Sequence, residues 1–371
     1  MGRLRYAWAM GVLSVVGLVA TAGWAGVSTT GDTKDDGSVF YAGYNSDTTG
    51  GLTIDAGSVF NRGDGYLGYS SGSMGTAVVT GAGSTWTNSG VLYVGRDGSG
   101  ALTVSDGGIV SANTLYASLS DLQGDGTITV QSGGVLDADL VFDAAQGIRQ
   151  TTVGFGTGGT LQFTAAGNVL GVGYKHSGSL RIGEARSIRS ARGYLGFESG
   201  STGDAVVTGV GSRWTNSGDL YVGYKGRGTL RVEAGAQVVT EGSGSEKTRL
   251  GYNSGSTGEA TISGTGSTWS TFNLSVGYSG NGTLKVESGG QVSDSTGYLG
   301  YDSGATGTAT VTGAGSTWTT SGEFFLGYSG SGTLWVLAGG RVSSGNEYSY
   351  ADYSTYLLTV AQRMSPGFPC L

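Results

Sequence analysis

One phrase is written over and over in this chain. It runs Gly300-Tyr301-Asp302-Ser303-Gly304, then Ala309-Thr310-Val311-Thr312, then Gly313-Ala314-Gly315-Ser316-Thr317-Trp318. It continues through Phe325-Leu326-Gly327-Tyr328 to Gly332-Thr333-Leu334-Trp335-Val336 and Gly339-Gly340-Arg341-Val342. Nearly the same words start at Gly68, Gly196 and Gly251. Self-similarity at a fixed period means an array, in which a unit too small to bury its own apolar face buries it against its neighbours.

The period can be read from a glycine that follows a short apolar run and usually precedes an aromatic ring. These marks are Gly43, Gly68, Gly95, Gly173, Gly196, Gly223, Gly251, Gly277, Gly300 and Gly327, spaced 23 to 28 residues apart within each group. Two kinds of unit alternate. One carries Gly-x-Gly-Ser-x-Trp, at Gly81–Trp86, Gly209–Trp214, Gly264–Trp269 and Gly313–Trp318. The other carries Gly-x-Leu-x-Val, at Gly100–Val104, Gly228–Val232, Gly282–Val286 and Gly332–Val336. The register degrades between Asn113 and Arg192, where Leu115-Tyr116-Ala117 stands in for the mark and Leu140 to Gly159 aligns poorly. No linker composition intervenes, so this stretch is expected to be divergent turns of the same array. Tyr348 to Val360 mimics one more unit, with Leu357-Leu358-Thr359-Val360 as its strand.

Leu102-Thr103-Val104, Leu230-Arg231-Val232 and Leu284-Lys285-Val286 alternate apolar with polar, the period of a strand with one buried face. β-Branched Thr and Val favour a pleated surface, and Gly pairs with Asp or Ser mark the turns between. No segment past the N-terminal run has helical periodicity. The chain is therefore expected to be all-β, a right-handed parallel β-helix of about a dozen turns at ~4.8 Å spacing. The competing architecture is a β-propeller, whose blades match the length of the paired unit. Each half unit has its own mark and its own strands, which favours stacking of half units.

Composition supports a folded chain. Of 371 residues 75 are Gly, yet Gly does not fall at every third place, and 37% are apolar. The net charge of -7 and a pI near 4.7 make nucleic acid a poor partner. The single cysteine, Cys370, excludes an internal disulfide, and near absence of Cys suits a bacterial exported repeat protein better than a small stapled domain.

Residues 1–25 read as a secretory signal. Arg3 and Arg5 supply the positive start, Ala9 to Ala20 the apolar run, and small residues allow cleavage after Ala22 or Ala25. The run is short for a spanning helix. The mature chain is thus expected to lack a transmembrane segment, to occupy residues 26–360 as one β-helical domain, and to be secreted or held at the cell surface. Gly26 to Asp36 is expected to cap one end. Residues 361–371 hold both prolines and the cysteine and read as an irregular tail, expected from a truncated or frameshifted frame.

Leu220-Tyr221-Val222-Gly223-Tyr224 leading to Gly228-Thr229-Leu230-Arg231-Val232, with Gly209 to Gly218 before it, resembles the repeat of autotransporter (type V secretion) passenger domains and of proteins with the PEP-CTERM sorting tail. The resemblance covers about Gly37 to Val360. It implies an exported, β-helical, adhesive or structural surface protein, with cell-surface or matrix glycans or other envelope proteins as partners. It is a weak guide to activity; no catalytic activity is expected because the sequence shows no catalytic apparatus. Such families are expected to end in a translocator β-barrel or a Pro-Glu-Pro tail, and the stretch up to Leu371 departs from both patterns.

Candidate chemistry is sparse. A polysaccharide lyase or hydrolase on this fold would need carboxylates clustered across adjacent turns. Glu233 and Glu287 occupy matching repeat positions, as do Asp204 and Glu259, which is how a surface pattern behaves. The irregular stretch holds Asp121, Asp125, Asp137, Asp139 and Asp143. An acid pair or Ca²⁺ site is one reading; a solvated acidic surface is favoured. His176 alone cannot make a zinc site and reads as a turn residue. Gly156 to Gly158 is no nucleotide loop, since no helix follows. Asp97-Gly98-Ser99-Gly100 and Gly124-Asp125-Gly126 do not recur at the spacing of Ca²⁺-binding nonapeptides. No catalytic or metal residue and no cofactor is expected, and no ligand site is assigned.

The tyrosines after the marks (Tyr44, Tyr69, Tyr174, Tyr224, Tyr252, Tyr278, Tyr301 and Tyr328, with Phe197 and Arg96 substituting) are expected to form a column. It is either a sugar-stacking platform, as a glycan-binding module would need, or a self-stacking ladder; the ladder is favoured because nearly every turn contributes. Trp86, Trp214, Trp269 and Trp318 are expected at corners or in the core.

Overall fold

The computed structural model describes residues 26–145, 149–165, 167–241, 247–345 and 356–361. The expected signal, the segment from Tyr348 to Thr355 and all of the tail past Ala361 lie outside them.

The chain winds into a right-handed parallel β-helix of about 12 turns. Each regular turn contributes three strands to three faces. In the seventh turn these are Arg192–Leu195, Thr202–Thr208 and Arg213–Asn216; in the eighth, Leu220–Val222, Arg227–Glu233 and Gln237–Thr240. We call the three surfaces the aromatic face, the long-strand face and the tryptophan face. Each strand pairs in parallel with its counterpart one turn on: Leu195 with Val222, Ala205 with Leu230, Trp214 with Val238. A propeller would place antiparallel strands side by side in vanes, and this register excludes it. Leu357 to Val360 pairs in parallel with Thr333 to Val336, as the repeat predicted.

The marked glycine makes the corner between the aromatic and long-strand faces. At Gly223 φ is +77°, and a Cβ would sit 2.1 Å from the carbonyl oxygen of Thr257 in the next turn. Only glycine meets both demands, a left-handed backbone and contact with the turn above.

The alternation of two unit types has a packing cause. Up the tryptophan face the inward residues read Trp214, Val238, Trp269, Val292, Trp318, Val342. Up the long-strand face they read Ala205, Leu230, Ala260, Leu284, Ala309, Leu334. Up the aromatic face they read Gly193, Leu220, Thr248, Leu274, Gly297, Phe324. Every layer with Trp carries two small partners, and every layer with Val carries two large ones. At Gly193 an added Cβ would lie 2.9 Å from the Trp214 ring. Each layer thus fills the same cross-section, as a core at crystal density requires. Turn 2 obeys the same rule with Gly65, Ala77 and Trp86.

Buried indoles look for an acceptor one turn below. Trp214 Nε1 donates to Ser190 Oγ at 3.1 Å, and Trp318 Nε1 to Asp294 Oδ2 at 2.6 Å. Trp86 and Trp269 have no such partner. Asp294 is the one carboxylate in this interior row, whose other members in turns 6 to 11 are Ser190, Asn216, Thr240, Thr271 and Thr320. Burial pushes its carboxyl up to about 7.

At the N-terminal end the direction reverses. Val27–Gly31 runs antiparallel to Thr49–Ile54, and Thr33–Asp35 antiparallel to Val39–Ala42. Polar, exposed strands therefore cover two edges of the first turn that would otherwise invite another chain.

Two outcomes follow from this packing. Trp214→Val is expected to cost about 3 kcal/mol or more in urea unfolding. Adding Ala205→Leu and Gly193→Leu, which converts the layer to its alternate type, is expected to restore more than half; a triple variant weaker than the single one would refute layer compensation. Asp294 keeps its proton up to about pH 7 when folded but only to its ordinary 3.8 when unfolded. Its contribution is therefore complete below pH 4 and lost as pH rises through 7, a swing of up to about 4 kcal/mol. Asp294→Asn is expected to flatten that part of the stability–pH curve and raise stability at pH 8.

Candidate functional site at the break in the repeat

Two places could carry function, the aromatic ribbon and the irregular turns. The ribbon is two columns side by side. In one, Tyr41, Tyr66, Tyr93 and Tyr116 stack at centroid distances of 5.0, 5.4 and 4.3 Å with planes within 14°. In the other, Tyr224, Tyr252, Tyr278, Tyr301 and Tyr328 stack at 5.2, 5.3, 4.8 and 5.1 Å. Between columns the rings meet edge to face, as Tyr66 with Tyr69 at 88°. A missing ring is replaced by arginine at Arg96 and Arg249, and by Val135, Gly171 and Ser275 elsewhere in the first column. The Arg96 guanidinium lies 4.6 Å from the Tyr69 ring, and that of Arg249 lies 5.3 to 5.4 Å from Tyr221, Tyr252 and Tyr278. Arg249 also lies 3.3 Å from Asp219 Oδ1. Along the columns the ring faces are spent on neighbours, and solvent meets edges. Burial raises the phenols of Tyr41, Tyr93, Tyr116, Tyr224 and Tyr278, and that of Tyr66 to about 12. A sugar needs an open ring face, so the ladder expected from sequence describes this surface. The four tryptophans lie wholly in the core.

The irregular turns show how the array tolerates an interruption. On the long-strand face the sheet ends at Leu122–Gln123 and a new one begins at Asp139–Phe142. On the tryptophan face an antiparallel hairpin, Gln150–Phe155 with Gly159–Thr164, is inserted; its second strand pairs with Thr127–Val130. Only the aromatic face continues unbroken, through Gly133–Asp137 and Val169–Val172. These are turns of the same helix, as the sequence implied.

At this break two turns lack the marked glycine. Register places Ser118 where turn 3 has Gly95, and Asp137 directly above Ser118. The corner loop is short in both turns. The loops of turns 3 and 6 close across them: Tyr174 Oη donates to Gly95 O at 2.8 Å, and Lys175 Nζ to Gly98 O at 2.7 Å. Beneath, Asp137 accepts from Ser118 Oγ, from Lys175 N at 3.2 Å and from His176 N at 3.0 Å. His176 Nδ1 lies 3.2 Å from both Asp137 Oδ2 and Ser118 Oγ. Burial raises the Asp121 carboxyl and lowers the Lys175 ammonium nearby.

Serine, histidine and aspartate together suggest a nucleophile, and the geometry rules it out. A relay needs Ser and Asp on opposite ring nitrogens, with the imidazole between them. Here both touch Nδ1, and Ser118 is buried and bonded directly to Asp137. The arrangement ties a corner. His176 is a turn residue, as predicted, with a specific task.

The five acids grouped by sequence do not converge. Asp121, Asp137 and Asp139 lie at the start of the long-strand face, Asp125 and Asp143 at its far end. Asp125 accepts from Asp106 N of the preceding turn at 2.9 Å, and Asp143 from Ala145 N in its own loop at 2.9 Å. No group of three or more metal-ligating side chains occurs among the described residues. Sequence reading missed the Ser118–Asp137–His176 tie. Its signal was the absence of glycine at the corner, legible only with the register known.

The chain matches no family model, no curated protein and no solved structure.

Because Asp137 satisfies three donors at once, Asp137→Ala is expected to cost about 2–4 kcal/mol. The exposed His176 should cost less than about 1 kcal/mol on conversion to Ala. Amide exchange at Lys175 and His176 reads this locally, and protection unchanged in Asp137→Ala would refute the tie.

Proposed function

We propose that this chain is an exported, non-enzymatic repeat protein with a structural or adhesive role at the cell surface. The observation that carries the reading is the sameness of the outward surface. Strand by strand it presents Thr, Ser, Gln and scattered charges in register, and where the strands themselves are interrupted the short corners are tied shut by their own hydrogen bonds. An enzyme on such a scaffold needs the opposite, an irregular spot with open, converging acids. The likeness of its repeat to autotransporter passenger and PEP-CTERM proteins supports export, with matrix glycans or envelope proteins as partners.

A polysaccharide lyase or hydrolase is the principal rival. It would have to use Asp137 or Asp139, the carboxylates nearest the break. The purified protein is expected to release no reducing ends or unsaturated sugars from a panel of neutral and acidic polysaccharides, while cells displaying it gain adhesion to a matrix. Turnover that disappears in Asp137→Ala with Asp139→Ala would overturn the reading.

A further inference from the structure

The test applied to carboxylates, a break in repeat symmetry at neighbouring turns, is met elsewhere by arginine. Residues 26–145 hold 13 Asp and only 3 Lys or Arg, whereas residues 146–241 hold 10 Lys or Arg against 6 acids. Two of these, Arg189 and Arg213, lie on the tryptophan face of turns 6 and 7, with Arg186 and Arg192 at the corners on either side. Arg186 occupies the corner just before this face. The matching residues of other turns, each giving its carbonyl to the next strand, are Ser58, Ser84, Gly108, Gly126, Ser212, Ala236, Ser267, Gly290 and Ser316. In the column of Arg189 the other turns have Asn, Thr, Ser, Gln or Val. In the column of Arg213 only the last turn repeats the choice, with Arg341. Arg192 follows at the next corner and is exposed.

These cations have few acidic partners. Arg213 lies over Ser187 and Thr215 over Arg189, so Arg189 and Arg213 stand on neighbouring strands of one face, with Arg186 one place before Ser187 at its edge. Arg189 pairs with Glu241 at 2.6 Å. Arg186 Nε donates to the Asp143 carbonyl, and Arg213 to Thr215 Oγ1 and Gln237 Oε1. Arg192 makes no ion pair among the described residues. Exposed cations add little to stability, and an array selected only to stack would keep the Ser and Thr found elsewhere.

We propose that this arginine cluster binds a linear acidic polysaccharide through its carboxylate groups. A guanidinium grips a carboxylate with two parallel hydrogen bonds. Ser187 and Gln237, on either side of Arg213 in its column, offer hydroxyl and amide groups to sugar hydroxyls. No aromatic side chain points outward among the strand residues of these turns on this face, so bases would find nothing to stack on. A second copy is a poorer occupant, because many acids of the first turns cap their own backbone: Asp36 takes Val39 N, Asp64 takes Val91 N and Asp125 takes Asp106 N. The patch acts locally despite the net negative charge, since screening limits the reach of distant acids to about 8 Å.

The proposal deepens the adhesive reading and rests on it. The full chain is titrated calorimetrically with polygalacturonate, with dextran as the neutral control, at low and at physiological salt. Polygalacturonate is expected to bind, more weakly as salt rises, and dextran not to bind. Arg186→Gln, Arg189→Gln and Arg213→Gln together are expected to weaken binding at least roughly tenfold, and Arg341→Gln to leave it unchanged. Should the triple variant not fold, Arg189→Gln and Arg192→Gln, at exposed sites, are each expected to lose a few-fold. No binding at low salt, equal binding of dextran, or affinity indifferent to these arginines would overturn the proposal. So would duplex DNA bound as tightly through the same residues, or sedimentation showing that they hold a second copy instead. Adhesion that persists in the triple variant would remove this ligand and leave the adhesive reading standing; glycan cleavage would remove that reading itself.

Discussion

The register between consecutive turns governs the rest of this molecule. Each strand gives its backbone hydrogen bonds to the equivalent strand one turn on, so equivalent residues lie over one another. From that single constraint come the tyrosine columns, the alternating core and the row of glycine corners. A slip by one residue would turn every inward side chain outward. The corner glycine guards against it: Gly223 fits under Thr257 O only in this register. The polar row beneath the tryptophans reinforces the choice, because Ser190 serves the indole of Trp214 in one alignment alone.

Stacking like on like creates a difficulty that the two-turn period solves. A column of tryptophans at β-strand spacing would overfill one side of the core and leave voids on the others. Alternating Trp with Val, while Ala and Gly alternate with Leu in the opposite phase, keeps every layer full. The outer ribbon needs no such device. Rings there stack face to face at strand spacing, and Arg96 or Arg249 fills a missing place with a flat cation.

Much of this was legible in the sequence because a repeat reports its own register. The glycine marks gave the turns, the Leu-x-Val alternation gave the inward face, and the recurring tyrosine foretold a column. The meaning of the alternation was not legible. Trp214 and Gly193 lie far apart in the chain's order of faces, and only the closed cross-section sets them against each other. The break was legible as a loss of pattern but not in content. Asp121, Asp125, Asp137, Asp139 and Asp143 looked like one acidic cluster, because sequence proximity hides the width of the long-strand face. The partners that matter to Asp137, Ser118 and His176, lie 19 and 39 residues away. The basic band was visible in composition, yet as a patch it depended on knowing that Arg189 and Arg213 lie on neighbouring strands of one face.

In an array of this kind regularity is the default, and departures from it are informative in proportion to what they cost. The short corners at Ser118 and Asp137 cost two glycine turns and are offset by an acid with three donors, so they explain themselves as structure. Arg186 has no comparable return. It replaces a small residue, and its Nε reaches a backbone carbonyl of the preceding turn. Serine at the matching corners accepts an amide of the preceding turn, as Ser212 does from Ala185 and Ser267 from Gly235, and Arg186 gives that bond up. In a chain whose other turns keep the economical residue, the gain has to come from outside the molecule.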